Sequence, residues 1–239
     1  MTQVIQMISG PRNISTAMLY SFDSRDDCIG IDEPFYGYYL RKYPTLNHPA
    51  RQEILDSLPQ TTEEVLAGID MQMKNTPSLF IKNMAHHIHD LPLDWAESYQ
   101  NFLLIRNPRR VLASFTQVID NPTASDIGII QEWDIYQSLT AMGHRVPIID
   151  TDEFLTDPQQ GIKSLCKALE LDYQDAMLSW APGPRSIDGV WAPHWYGSVH
   201  KSSGFQTVIS KPLPALSPDL QAICDEVMPY YEKLKALSL

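Results

Sequence analysis

Four short clusters hold the residues able to do chemistry, and each follows an apolar run. Ser9-Gly10-Pro11-Arg12-Asn13-Ile14-Ser15-Thr16 comes after Val4–Ile8 and before the helical run Ala17–Phe22. Asp32-Glu33-Pro34 comes after Cys28–Ile31, Lys82 closes the run from Ser78, and Arg106 closes the run from Asn101. A tight loop between a strand and a helix presents first-turn N–H groups that lack intrahelical partners, at the positive end of the helix dipole, and so accepts an anion. Arg12 adds a fixed positive charge there. Ser15 and Thr16 add hydroxyl donors and are the candidate N-caps. No Gly-Lys-Ser/Thr closes the loop, so it is a phosphate cradle outside the Walker pattern. Glu33, beside the aromatic stretch Phe35–Tyr43, is placed to be partly desolvated, which raises a carboxyl pKa toward that of a useful base. His86, His87 and His89 sit close together, but no fourth ligand stands at a recognised spacing, so no metal is expected and His86 is read as an alternative base.

The elements that position these clusters alternate along the chain. Short apolar runs at Val4–Ile8, Cys28–Ile31, Ser78–Lys82, Asn101–Arg106 and Val146–Asp150 read as strands. Between and after them, helical patterns span Ala17–Phe22, Phe35–Tyr43, Thr62 to about Lys74, Arg109–Val118, Asp126–Met142 and Asp157 to about Leu169, and a last helix follows Pro218. Residues 44–60, with three prolines, read as a mobile connection around a short helix. The alternation predicts an α/β fold, a mostly parallel central sheet with helices on both faces, within one domain spanning 1–239. Ligands of such sheets bind beyond the carboxyl ends of the strands, where Arg12, Glu33, Lys82 and Arg106 all fall. Residues 180–205 show no periodicity yet contain three Trp, which favours an ordered lid over disorder.

Composition narrows the function. A formal net charge of −11 argues against broad nucleic-acid or anionic-membrane binding, so an anion site here is a local basic pocket. Three widely spaced cysteines without a CxxC pair read as free thiols in a reducing cytoplasm. The chain starts directly on a strand pattern, and no apolar run approaches ~18 residues, so a cytoplasmic, soluble protein without a membrane span is expected.

Through these residues the chain resembles the sulfotransferases that use 3′-phosphoadenosine 5′-phosphosulfate (PAPS). Gly10–Thr16 resembles that family's 5′-phosphosulfate loop, and Leu104–Ser114 its 3′-phosphate motif, in which an Arg after a strand and a Ser eight residues later grip the phosphate. Pro147–Pro158 is similar to the strand and helix start that follow, and Val199–Gly204 to the late basic loop that closes over the nucleotide. A closer resemblance is to a sulfotransferase-like branch that includes plant proteins named aminotransferase-like, through the GPR(N/S)xST, DEP, K-x-MA, LIRNP and WAPxWYxSVHKS blocks. No lysine here stands in a recognisable pyridoxal-phosphate context.

The resemblance implies a P-loop-like fold and PAPS as cosubstrate, with no metal. It implies that Arg12, Asn13, Ser15 and Thr16 bind the 5′ end, that Arg106 and Ser114 bind the 3′-phosphate, and that His200, Lys201 and Ser202 reach the phosphates from the lid. Lys82 would stabilise the leaving bridging oxygen, and Glu33 matches the placement of a catalytic Glu in some members. The acceptor would be a small molecule with a hydroxyl or amine, and Trp195 or Tyr196 would lie near it or near the adenine. Two positions depart from the pattern. Ile14 stands where Gly is usual, and Met84 stands where a His commonly follows the strand-end Lys, with His86 and His87 further on. A phosphotransferase with the same loop, or a binding protein that kept the pocket and lost catalysis, are the competing readings.

Overall fold

Residues on the first strand alternate between two separate cores, which is what a sheet covered on both faces requires. Val4 and Ile8 of β1 (Gln3–Ser9) pack into one core and Ile5 and Met7 into the other. All four are buried, and full burial of such a side chain stabilises by roughly 1.5–3 kcal/mol. The structure, a computed structural model, describes residues 2–46, 48–208 and 212–239.

The remaining strands are β2 (Cys28–Asp32), β3 (Ser78–Met84), β4 (Gln100–Ile105) and β5 (Ile148–Asp150). Their order is β2-β3-β1-β4-β5 and every pairing is parallel. All carboxyl ends therefore lie along one edge. The register sets Asp32 beside Lys82 and Ser9 between Met84 and Leu104.

The helices are α1 (Ser15–Asp23), α2 (Tyr36–Lys42), α3 (Arg51–Ser57), α4 (Thr62–Met73), α5 (Ala85–Ile88) and α6 (Pro108–Phe115). They continue as α7 (Ala124–Ile127), α8 (Ile129–Ala141), α9 (Thr151–Phe154), α10 (Pro158–Ala168), α11 (Ala192–Trp195) and α12 (Pro218–Lys235). Residues of α4, α5, α6, α8 and α12 belong to the Val4–Ile8 core, and residues of α1 and α10 to the Ile5–Met7 core.

Three expectations change at this level. Ser15 and Thr16 are not caps: Ile14 is the N-cap of α1, in the left-handed region (φ 39°, ψ 16°), with no side-chain cap bond. The single helix expected over Asp126–Met142 is broken by Gly128, whose φ of 81° ends α7 and starts α8. The stretch 180–205 is not wholly irregular. It contains α11 and a 3₁₀ turn at Val199–Lys201, and an antiparallel bridge between Ser179 and Gly204 pins its ends together. The three cysteines are free thiols, all buried.

Candidate active site

The loop Gly10–Ile14 is held from below by a helix junction. Gly10 donates its N–H to Glu132 Oε1 at 2.6 Å, and a Cβ on Gly10 would meet the Ile127 carbonyl oxygen at 2.5 Å. Gly128 packs equally closely, since its own Cβ would lie 2.9 Å from the Gly10 Cα. Two loop residues, Arg12 (φ 59°) and Ile14 (φ 39°), then adopt left-handed backbone, which costs a residue bearing a side chain roughly 1–2 kcal/mol. The break at Gly128 thus serves the loop. The first α1 N–H with a helical acceptor is that of Met18, to Ile14 O at 3.0 Å, so the N–H groups of Ser15, Thr16 and Ala17 have no carbonyl one turn back. Asn13 braces the same turn. Its amide donates to the Leu104 carbonyl and its oxygen accepts from the Thr151 hydroxyl, so this side chain, on the cavity wall, ties the loop to the ends of β4 and β5.

Arg12 and Arg106, 94 residues apart, meet at the loop. Arg106 Nη1 donates to the Arg12 carbonyl at 2.7 Å, and Arg12 Nε donates to Ser114 Oγ of α6 at 2.9 Å. Burial lowers the pKa of both guanidiniums without bringing either near neutrality. Arg106 Nε is buried with no hydrogen-bond partner among the described residues, and its nearest acid, Asp152, lies 3.9 Å away while also facing Arg110 at 3.2 Å. Three arginines, Arg12, Arg106 and Arg110, against two aspartates, Asp150 and Asp152, leave an excess of positive charge. That excess and the unused donor fit a multiply charged anion.

A second cluster lies at the ends of β2 and β3. Lys82 is 1 % exposed and donates to Asp32 Oδ1 at 2.8 Å, Glu33 Oε1 at 2.6 Å and the Tyr196 hydroxyl at 2.7 Å. Tyr196 donates to Asp32 Oδ2 at 2.6 Å and accepts from Trp191 Nε1 at 3.0 Å. Burial disfavours the Lys82 ammonium, but Asp32 and Glu33 outweigh it and its pKa is raised. One cation does not offset two buried carboxyls. Burial accordingly pushes Glu33 up to about 6, against the opposing pull of Lys82. Glu33 also holds a left-handed backbone (φ 45°), a local strain of a kind that gathers at functional sites.

Both clusters open into one cavity of about 600 Å³. It takes in Arg12, Ser15, Thr16, Arg106 and Ser114 at one end and Glu33, Lys82 and His86 at the other. Ser202 lines it as well, with its hydroxyl accepting from Trp180 and donating to the Val199 carbonyl. His200 and Lys201, expected at the phosphates, are not on its wall. His200 Nε2 lies 2.9 Å from Asp188, which also accepts from the Tyr20 hydroxyl, and Lys201 is exposed. Beyond Glu33 the wall is aromatic: Tyr36, Tyr39, His48, His87 and Trp195 join His86. Burial drives His86 down to about 4 and His87 well below its ordinary value, so both imidazoles are neutral and poor bases. Among the described residues no group of three or more His, Cys, Asp or Glu is placed to hold a metal. No described helix is long and apolar enough to cross a membrane.

Sequence reasoning missed the partnership of Asp32, Tyr196 and Trp191 with Lys82. The strand register that sets Asp32 beside Lys82 is a tertiary fact. Tyr196, expected near adenine or acceptor, carried one usable signal: a buried phenol needs a partner for its hydroxyl.

A parallel α/β sheet with strand order β2-β3-β1-β4-β5, a tight loop after β1 and a second arginine following β4 defines a P-loop-like fold. The family model described as "Sulfotransferase domain" matches residues 3–238, and the chain belongs to that family. Two Arabidopsis thaliana proteins are similar in sequence. "Branched-chain-amino-acid aminotransferase-like protein 2" is 35% identical over 237 residues, 98% of this chain, and protein 1 of that name is 36% identical over 206 residues, 86% of it. The match covers 41% and 37% of those two proteins, so the chain spans about two fifths of their length. Among solved structures, the sulfotransferase domain from the curacin biosynthetic pathway superposes with TM-score 0.61 at 15% identity, over 95% of this chain and 98% of that one. The Alicyclobacillus acidocaldarius sulfotransferase gives 0.57 at 12% (99% and 96%), and mouse sulfotransferase SULT7A1, complexed with PAP, gives 0.53 at 14% (99% and 87%). The fold is thus the P-loop-like sulfotransferase fold, as the strand order and loop already indicated.

Proposed function

We propose that this chain transfers a sulfuryl group from PAPS to a hydroxyl or amine of a small molecule. The observation that carries the reading is the shared cavity, with Arg12, Arg106 and Ser114 at one end and a base-like Glu33 at the other. In this reading Arg12, the hydroxyls of Ser15 and Thr16 and the first N–H groups of α1 hold the 5′-phosphosulfate. The Arg106 fork and Ser114 hold the 3′-phosphate. Glu33 Oε2, the oxygen not taken by Lys82, accepts the acceptor's proton as the new bond to sulfur forms and the bond from sulfur to the 5′-phosphate oxygen breaks. The products are the sulfated acceptor and adenosine 3′,5′-bisphosphate (PAP). As in phosphoryl transfer, the protein's contribution is positioning and charge neutralisation. The aromatic end, with its neutral imidazoles, suits a ring-bearing acceptor.

The aminotransferase-like names of the plant relatives belong to proteins more than twice as long. A pyridoxal aldimine needs a neutral amine. Lys82, the one lysine among the described residues that line the cavity, is held as an ammonium between two carboxyls. Thermal shift with PAP against ATP–Mg tests the nucleotide, and transfer of labelled sulfate from PAPS to a panel of phenols, alcohols, amines and sugars tests the chemistry. Preference for ATP–Mg would support a phosphotransferase. Tight PAP binding with no transfer to any acceptor would support a binding protein.

A further inference from the structure

An ammonium has three N–H donors, and every one on Lys82 has a protein acceptor within 2.8 Å. Two of these acceptors, Asp32 and Glu33, are carboxyl oxygens and the third is the Tyr196 hydroxyl. The hydroxyl is itself complete, since it accepts from Lys82 and Trp191 and donates to Asp32. A phosphosulfate oxygen could be reached only by breaking a charge-assisted bond inside a buried site. Glu33 Oε2 is not the atom that takes the Lys82 bond; His87 Nδ1 lies 3.8 Å from it, and the Tyr196 hydroxyl lies close enough to the Glu33 carboxyl to favour its ionised form.

We propose that Lys82 is a positioning residue: it acts through Glu33, Tyr196 and Asp32 hold it there, and it does not touch the transferred group. The inference rests on the sulfotransferase reading for what Glu33 does, and on the geometry alone for what Lys82 does. In this arrangement Lys82 fixes Oε1 and thereby points Oε2 at the cavity. Tyr196 takes the third donor, so the ammonium is not drawn toward an anion bound at the loop. The segment 180–205 thus has a task beyond covering the nucleotide: through Trp191 and Tyr196 it keeps the lysine on the base. The groups that face Glu33 are Asp32 from β2, Lys82 from β3, Tyr36 from α2, His87 from α5 and Tyr196 from the covering segment.

The test separates contact from positioning without needing the acceptor. Calorimetry would compare PAP and PAPS binding by the wild type and by Lys82→Met. Carboxyl 13C NMR of labelled glutamate would follow the Glu33 titration in the wild type, Lys82→Met and Tyr196→Phe. The expected result is a PAPS-to-PAP affinity ratio changed by less than twofold in Lys82→Met. The Glu33 inflection should move to higher pH in both variants, and further in Lys82→Met, because that variant removes the ammonium on Oε1 whereas Tyr196→Phe removes the hydroxyl that holds this ammonium and itself favours the ionised carboxyl. A tenfold or greater loss of PAPS affinity relative to PAP, or an unmoved inflection in Tyr196→Phe, overturns the proposal. Should Lys82→Met not fold, the 15Nζ resonance of Lys82 in the wild type decides the contact. It should be the same with saturating PAP and with PAPS, and a shift specific to PAPS refutes positioning. A wild type that binds neither nucleotide defeats the sulfotransferase reading instead, and the titrations still test whether Tyr196 and Lys82 govern Glu33.

Discussion

Replacing Arg106 with alanine removes the fork assigned to the 3′-phosphate together with the bond to the Arg12 carbonyl. Charge-assisted hydrogen bonds contribute roughly 1.5–3 kcal/mol each, so a bidentate contact supplies about 3–6 kcal/mol. That corresponds to ~10²–10⁴-fold weaker binding. In a thermal-shift assay with PAP at 100 times its Kd, the wild type gains ~2.7 kcal/mol. For a chain of this size that is a rise of about 5–10 °C. At the same concentration the variant is at or below its own Kd, gains at most ~0.4 kcal/mol and shifts by about 1 °C.

The bond of Arg106 to the Arg12 carbonyl complicates this experiment, because its loss loosens the loop for any 5′-phosphate. Adenosine 5′-monophosphate, which lacks the 3′-phosphate, measures that contribution alone. The variant should lose at least tenfold more affinity for PAP than for the monophosphate. Equal losses would mean that Arg106 serves the loop and not the 3′-phosphate. An unchanged PAP shift would refute the assignment and the reasoning from the buried Nε behind it.

Glu33→Gln should leave PAP affinity within twofold and lower turnover by ~10²–10⁴ in the labelled-sulfate assay, the range expected of a general base. In the wild type, turnover should fall as pH drops through about 6, where Glu33 takes up its proton, and the variant should lose that limb. Gly10→Ala would force a Cβ to within 2.5 Å of the Ile127 carbonyl, so it should cost ~1–3 kcal/mol of stability and weaken PAP binding, read by denaturation and calorimetry. His86 is held neutral at about 4, below the ordinary 6.5 that it would regain on unfolding, so the unfolded state binds the extra proton. Its contribution to stability should be complete above pH 6.5 and decline between 6.5 and 4, and a His86→Phe variant should show a shallower acid-side decline in midpoint denaturant.

The sequence carried the layered α/β architecture because the strands are short apolar runs followed by polar clusters, and in a parallel sheet those clusters share one edge. Arg12, Glu33, Lys82 and Arg106 were legible for that reason. The start of α1 was not, because hydroxyl residues at Ser15 and Thr16 mimic a cap, whereas the loop is shaped by left-handed backbone at Arg12 and Ile14. An isoleucine in that region runs against local preference, and only the contacts beneath the loop hold it. The helix expected over Asp126–Met142 runs through Gly128, where the structure breaks it. The reason is 118 residues away, in the close approach of Gly10. Likewise the resemblance of Val199–Gly204 to the family's basic loop implied phosphate contacts from His200 and Lys201, but His200 pairs with Asp188 and neither residue lines the cavity.

The placement of charge follows from one difficulty. Under the proposed function a chain of net charge −11 repels its multiply charged anion at long range, so binding would come from cations at contact distance, partly buried where solvent screens them little. The loop and β4 supply these as guanidiniums, which keep their charge when desolvated. A lysine buried alone in the same edge would lose its charge, and one beside the anion would be drawn to it. Lys82 avoids both through the two acids beside it and the phenol above it. Burial, with Asp32 adding to it and Lys82 opposing it, raises Glu33 to about 6. Glu33 and Lys82 are therefore one electrostatic unit, each carrying the other's charge among the causes of its shift.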